Sequence, residues 1–76
     1  MDVEDLARAV TERRKQAGLT QADLAALADC SVRFIGALEA GKPTVRLDKL
    51  GAVLAVLGLE LRLVVRSPSA TGAAGG

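Results

Sequence analysis

Histidine, tryptophan and tyrosine are absent from this chain, and cysteine, methionine and phenylalanine each occur once. Without histidine there is no imidazole to ligate a metal or shuttle protons near neutral pH. With Cys30 alone, no disulfide can form within the chain, and a reducing compartment is the expected setting. No apolar run approaches the roughly 20 residues of a membrane-spanning helix. The N-terminus, MDVEDLARAV, is acidic, whereas secretory signals begin basic. A cytoplasmic protein with no membrane partner is expected. No nucleophile–base constellation is visible and 76 residues leave little room for a pocket. No enzyme, cofactor or metal site is expected.

What is present is alanine, leucine and valine. Half the residues are apolar but only Phe34 is aromatic. That composition suits compact helices in a small bundle. One domain is the ceiling at this length, and a domain so small often gains stability by oligomerisation. The net charge is only +1, weak for a nucleic-acid binder, yet it is polarised along the chain. Asp2, Glu4 and Asp5 crowd the start, while Arg33, Lys42 and Arg46 face a single acid, Glu39, between residues 31 and 46.

The pattern predicts four helices. Asp2 caps the first, which runs to about residue 17 with Leu6, Val10, Arg14 and Ala17 on one face. Acids in its first turn and Arg13, Arg14 and Lys15 in its last turns complement the helix dipole. Gly18 stops it. Thr20 and Asp23 have capping-box spacing and open a second helix with Leu24, Ala25 and Ala28 inward. Asp29 and Cys30 form a turn. Ser31 caps a third helix over residues 32–40, with Ile35 and Leu38 inward and Gly41 at its end. Ala25 and Gly36 are small enough to let these two helices cross closely. After a loop containing Pro43, a fourth helix covers residues 46–57 with a stripe of Leu47, Leu50, Leu54 and Leu57, ended by Gly58.

The period then changes. Leu59, Leu61, Leu63 and Val65 alternate with Glu60, Arg62, Val64 and Arg66, which is strand spacing. A single strand in a helical chain has no partner of its own, and its backbone groups require one. Pairing with the same strand of a second copy satisfies them. Antiparallel pairing centred on Leu63 sets Glu60 opposite Arg66, and pairing centred on Leu61 sets it opposite Arg62; both avoid opposing like charges, and the Leu63 register has the longer overlap. Residues 1–66 thus form one domain ending in a dimerisation strand (59–66), and the Gly/Ala/Ser-rich residues 67–76 are expected to be a disordered tail.

Residues 20–41 are the centre of this arrangement. Two helices joined by so short a turn cross steeply, so the second can project into a major groove while the first crosses the backbone. The segments GLTQADLA, SVRFIGALEAGKPT and RLDKL resemble the Xre/lambda-repressor-like helix-turn-helix family. The GKPT loop, the R-L-D segment and the terminal LGLELRL are most similar to its HipB-like branch. The expected fold is therefore mainly α: a four-helix lambda-repressor-like domain plus one C-terminal β-strand paired across a homodimer.

The resemblance implies roles by position. Gln21, beside Thr20 at the start of the second helix, would contact a phosphate. Ser31, Val32, Arg33 and Phe34 form the leading turn of the recognition helix, and Val32, Arg33 and Ala37 occupy base-reading positions. Arg33 alone among these can pair bidentately with guanine; phosphate contact is its alternative. Val32 replaces a polar residue common in the family and leaves only a thymine methyl to touch. Phe34 either reaches the duplex or packs on Leu38. Lys42, Thr44 and Arg46 would flank the groove. Arg14 and Glu39 would form an ion pair that positions the recognition helix, and Cys30 would be an inert buried thiol. The implied protein is a dimeric repressor of a palindromic operator, specifically an antitoxin whose partner is a HipA-like Ser/Thr kinase toxin. A regulator without a toxin and an interaction module that has lost DNA binding are the alternatives.

Overall fold

The computed structural model describes residues 2–42 and 45–65. Four helices follow in order: α1 (Val3–Gln16), α2 (Gln21–Leu27), α3 (Val32–Glu39) and α4 (Leu47–Leu57). The first three start where a short polar side chain takes up an orphan backbone N–H. Asp2 accepts from the Asp5 amide at 2.9 Å, Thr20 from Asp23 at 3.0 Å, and Ser31 from Phe34 at 3.0 Å. Asp5 and Asp23 return the bond to the Asp2 and Thr20 amides, completing two capping boxes. α4 begins differently: Arg46 caps it with no side-chain bond.

All four helices end in one way. The residue just past the end is left-handed (Gly18, Asp29, Gly41 and Gly58), and its N–H and the next one turn back onto the last-turn carbonyls. At α2 the Asp29 and Cys30 amides donate to Ala26 and Ala25 at 3.3 and 2.9 Å. Asp29 does this at φ 55°, a conformation that aspartate tolerates better than most residues. This turn takes the chain from α2 into α3 with only four residues between them.

The core is apolar: among the described residues, no polar or charged residue is fully buried. Val10, Leu24, Ile35, Leu38 and Val53 are its most enclosed large side chains, so every helix contributes at least one. Each such burial stabilises by roughly 1.5–3 kcal/mol. Phe34, Cys30, Val45 and Leu59 pack partly buried against this cluster.

Three expectations need correction, and a fourth is not shown. Leu47 is 73 % exposed, and Val53 takes its place in the α4 stripe of Leu50, Val53, Leu54 and Leu57. The stripe that faces the other helices starts one turn later than expected, and Leu47 turns toward the segment after α4. Ala17 is exposed because it is the C-cap of α1, beyond the last helical turn; Ala7 is buried instead. Gly36 is not what lets α2 and α3 approach, since a Cβ there would meet nothing within 4 Å. Finally, the described residues contain no strand: 59–65 has no regular secondary structure in the single chain. A strand is defined by its ladder, and among the described residues no second strand pairs with it. Leu59 and Leu61 lie along α4, while Leu63 and Val65 are almost wholly exposed. Thr44, Arg66 and the tail lie outside the described residues.

Two substitutions test this packing. Leu24→Ala should cost about 2–5 kcal/mol in denaturant unfolding, because it opens a cavity at the α2–α3 crossing. Gly36→Ala should instead stabilise the fold by roughly 0.5–1 kcal/mol, since it removes helix-interior glycine without a clash; destabilisation would mean that the α2–α3 approach needs the missing Cβ.

Candidate nucleic-acid interface

α3 has two unlike faces. Ile35 and Leu38 point into the core. Ser31, Val32 and Arg33 are exposed in its leading turn, and Val32 is 47 % exposed despite being apolar. Among the described residues Arg33 has no ion pair, so its guanidinium is available to an outside acceptor. Phe34 and Ala37 are half-buried, and Phe34 belongs to the core surround, which favours its packing role over direct contact with a duplex.

The far end of α3 is held by a charged network. Arg14 of α1 makes a two-pronged pair with Glu39 of α3, Nε to Oε2 at 2.7 Å and Nη2 to Oε1 at 3.1 Å. Its third donor, Nη1, reaches the Leu19 carbonyl in the α1–α2 connection at 2.8 Å. The Gln21 side-chain amide of α2 donates to Glu39 Oε1 at 3.0 Å. The side chains of Arg14 and Glu39 are only 12 % and 7 % exposed. One carboxylate therefore ties together three helices and a loop. Burial pushes the Glu39 pKa up, but the hydrogen bonds from Arg14 and Gln21 and the Arg14 charge outweigh it, and the group is held below the usual glutamate range. The hydrogen bond to Glu39 likewise raises the Arg14 pKa, so both partners stay ionised.

The pairing of Arg14 with Glu39 was legible in the sequence; the link from Gln21 was not. Its signal was the spacing of Gln21 and Glu39 within a helix-turn-helix, which sets the start of α2 beside the end of α3. The amide bonded to Glu39 retains its oxygen and its second N–H for another partner. Thr20, Gln21 and the α2 N-terminus thus lie at one end of α3, and Ser31, Val32 and Arg33 at the other, about 12 Å away by helix rise. Lys42 and Arg46 are exposed beyond it. Arg46 is paired with Asp48 at 2.8 Å, but in so exposed a pair the gain is small and a phosphate can replace the carboxylate. Because Arg14 pairs with Glu39, the one acid between residues 31 and 46, Arg33 and Lys42 are left without an ion pair among the described residues.

Cys30 is half-buried, and desolvation raises its thiol pKa, assisted by Asp29 and opposed by Lys49. A protonated thiol is a poor nucleophile, in keeping with an inert role. No group of acids, cysteine or histidine able to hold a metal is found among the described residues, and no described helix is long and apolar enough to cross a membrane.

Removing one partner of the network should be costly. Arg14→Met should destabilise by about 3–5 kcal/mol by leaving the buried Glu39 carboxylate alone, and Glu39→Leu in the same chain should restore much of the loss. The pH dependence has a defined sign. Because the folded pKa of Glu39 is depressed, its stabilisation is complete above the ordinary glutamate value of about 4.3 and is lost as pH falls through the folded value. Asp2, Asp23 and Asp48 are depressed too and add a common acid slope. Thermal midpoints recorded from neutral pH down to about pH 3 should therefore fall less steeply in Glu39→Gln than in the wild type. Equal slopes would remove Glu39 from the acid transition.

Residues 10–64 match the helix-turn-helix family, HTH_3. The chain is also 41 % identical over 60 residues to the uncharacterised HTH-type transcriptional regulator y4mF of Sinorhizobium fredii, a match that spans 79 % of each protein. The match contains the cap at Thr20, the left-handed turn at Asp29, the exposed leading turn of α3 and the Arg14–Glu39 pair that fixes it. The chain belongs to the Xre-like helix-turn-helix family.

Proposed function

We propose that the protein is a sequence-specific, DNA-binding transcriptional repressor that acts as a homodimer. The observation that carries this reading is the two-faced α3: its inner face is packed in the core, while Ser31, Val32 and Arg33 are presented to solvent and Arg33 has no ion pair among the described residues. Gln21 and the N-terminus of α2 supply phosphate donors at the other end of the helix. Arg33 is the base-reading side chain, and backbone contacts with duplex shape contribute the larger share of recognition. The regulator named in the comparison supports the same function.

Dimerisation is proposed through residues 59–65 and the outer face of α4. Leu47, Leu50, Gly51, Leu54, Ala55, Leu59 and Leu61 line an apolar groove of about 270 Å³. Leu63, Val64 and Val65 are exposed beside it, with backbone groups that need partners. A second copy supplies both the ladder and the cover. It also sets two recognition helices roughly 34 Å apart, matched to a palindrome. Within one chain Glu60 is bonded to Arg62 at 3.0 Å; in the Leu63-centred register it would exchange this partner for Arg66 of the second copy.

The antitoxin role, with a HipA-like kinase partner, rests on the GKPT, R-L-D and LGLELRL segments. Co-purification with a kinase encoded in the neighbouring reading frame supports it; a kinase-free neighbourhood leaves the regulator alone.

A duplex titrated at rising salt is the main test. Binding should weaken steeply with salt as phosphate contacts release counterions. No salt-dependent binding to any duplex would favour an interaction module, in line with the net charge of +1. Arg33→Ala should cost about 1–3 kcal/mol at the operator and relax one base pair; a uniform loss on all sequences would assign Arg33 to phosphate. Leu61→Lys with Leu63→Lys should yield monomers by light scattering, and a surviving dimer would exclude this interface.

A further inference from the structure

Arg13 stands one position before the network residue Arg14 and points elsewhere. Its Nε donates to the Leu57 carbonyl, the last of α4, at 2.8 Å, across 44 residues of sequence. Its Nη1 is within 3.4 Å of Gln16 Oε1, which steadies the guanidinium from its own helix. Its Nη2 faces Gly58, where an added Cβ would sit 3.7 Å away. A cation at a helix C-terminus is favoured by the dipole as well as by the hydrogen bond.

The neighbouring carbonyls are already in use. The Gly58 amide donates to Ala55 at 3.2 Å and the Leu59 amide to Leu54 at 2.8 Å, with Gly58 at φ 71°. The exit from α4 is therefore held by two backbone bonds and by one side chain from a different helix. Past this point Leu59 and Leu61 lie back against α4 beside Leu47, Leu50 and Gly51. Leu57 itself is buried in the core, so its carbonyl is a firm anchor.

We infer that Arg13 is a positioning residue for dimerisation: by bonding the Leu57 carbonyl it fixes the angle at which residues 59–65 leave α4, and so the surface that a second copy meets. The inference rests on the dimer reading given above. It assigns to α1 a role in the spacing of the two recognition helices that Arg14, bound to α3, does not have. A free-swinging arm would have to be ordered at each association, at a cost in affinity.

The test compares wild type, Arg13→Met, Arg13→Lys and Gly58→Ala as full chains. Sedimentation gives the dimer dissociation constant, and fluorescence anisotropy gives binding to a palindrome and to a single half-site. Arg13→Met should weaken the dimer about tenfold and weaken palindrome binding with it, while half-site binding by the monomer is unchanged. Arg13→Lys should recover part of the loss through one remaining donor. Gly58→Ala, which strains the left-handed exit and leaves Arg13 in place, should weaken the dimer by a second route. Arg13→Met is also made in the monomeric Leu61→Lys, Leu63→Lys chain, where loss of the bond to Leu57 should lower the thermal midpoint by a few degrees and leave the chain fully folded at the assay temperature. Wild-type dimerisation by Arg13→Met overturns the inference, as does a monomer midpoint so low that unfolded chain at the assay temperature accounts for the weaker dimer. A wild type that is monomeric at all concentrations overturns the dimer reading itself, and is told apart by that control.

Discussion

The paired side chains of Arg14 and Glu39 are the constraint on which the α3 geometry depends. Two helices joined by a four-residue connection have few bonds with which to define their crossing, and the α2–α3 backbone turn supplies only two. Glu39 adds the rest, because Arg14 and Gln21 approach it from α1 and α2. The pair is almost fully enclosed, and a buried ion pair is not by itself a source of stability. What it supplies here is direction: an apolar contact would allow α3 to slide and roll, whereas a bidentate guanidinium–carboxylate bond has one geometry.

That direction matters because the exposed end of α3 is sparse in chemistry. Arg33 is the one side chain of its leading turn able to read a base pair by two hydrogen bonds, and Val32 beside it is apolar. A surface with few base contacts depends more on where its backbone donors sit relative to phosphates. Gln21 joins the two requirements, since it opens α2, the proposed phosphate-contacting end, and is itself bonded to Glu39. In the proposed homodimer, the spacing between half-sites would add information that one domain cannot carry.

The two adjacent arginines of α1 divide this work. Arg14 faces α3, and Arg13 faces the end of α4. Consecutive residues on a helix point about 100° apart, so one turn of α1 addresses both α3 and the exit from α4. The apolar surface of the arm is the counterpart of the chain's small size. A core built from alanine, leucine, valine and Ile35 leaves Leu47, Leu61 and Leu63 exposed, and these are the residues on which the proposed dimer rests.

The sequence by itself determined the elements and their ends. Asp2, Thr20 and Ser31 as caps, Gly18, Gly41 and Gly58 as stops, and the Asp29 turn are local effects, decided by bonds within four or five residues, and all appear in the fold. The inward faces of α2 and α3 and the pairing of Arg14 with Glu39 were legible too, the first from periodicity and the second from resemblance. The structure alone decided which turn of α4 faces the core, putting Val53 in and Leu47 out, because two stripes of equal spacing differ only in what lies opposite them. It alone decided that Gln21 reaches Glu39 and that Arg13 reaches Leu57, since those bonds span 18 and 44 residues and have no local pattern. Residues 59–65 lie between these cases: alternation marks them for a ladder, but a ladder needs a second strand, and one chain has none to offer.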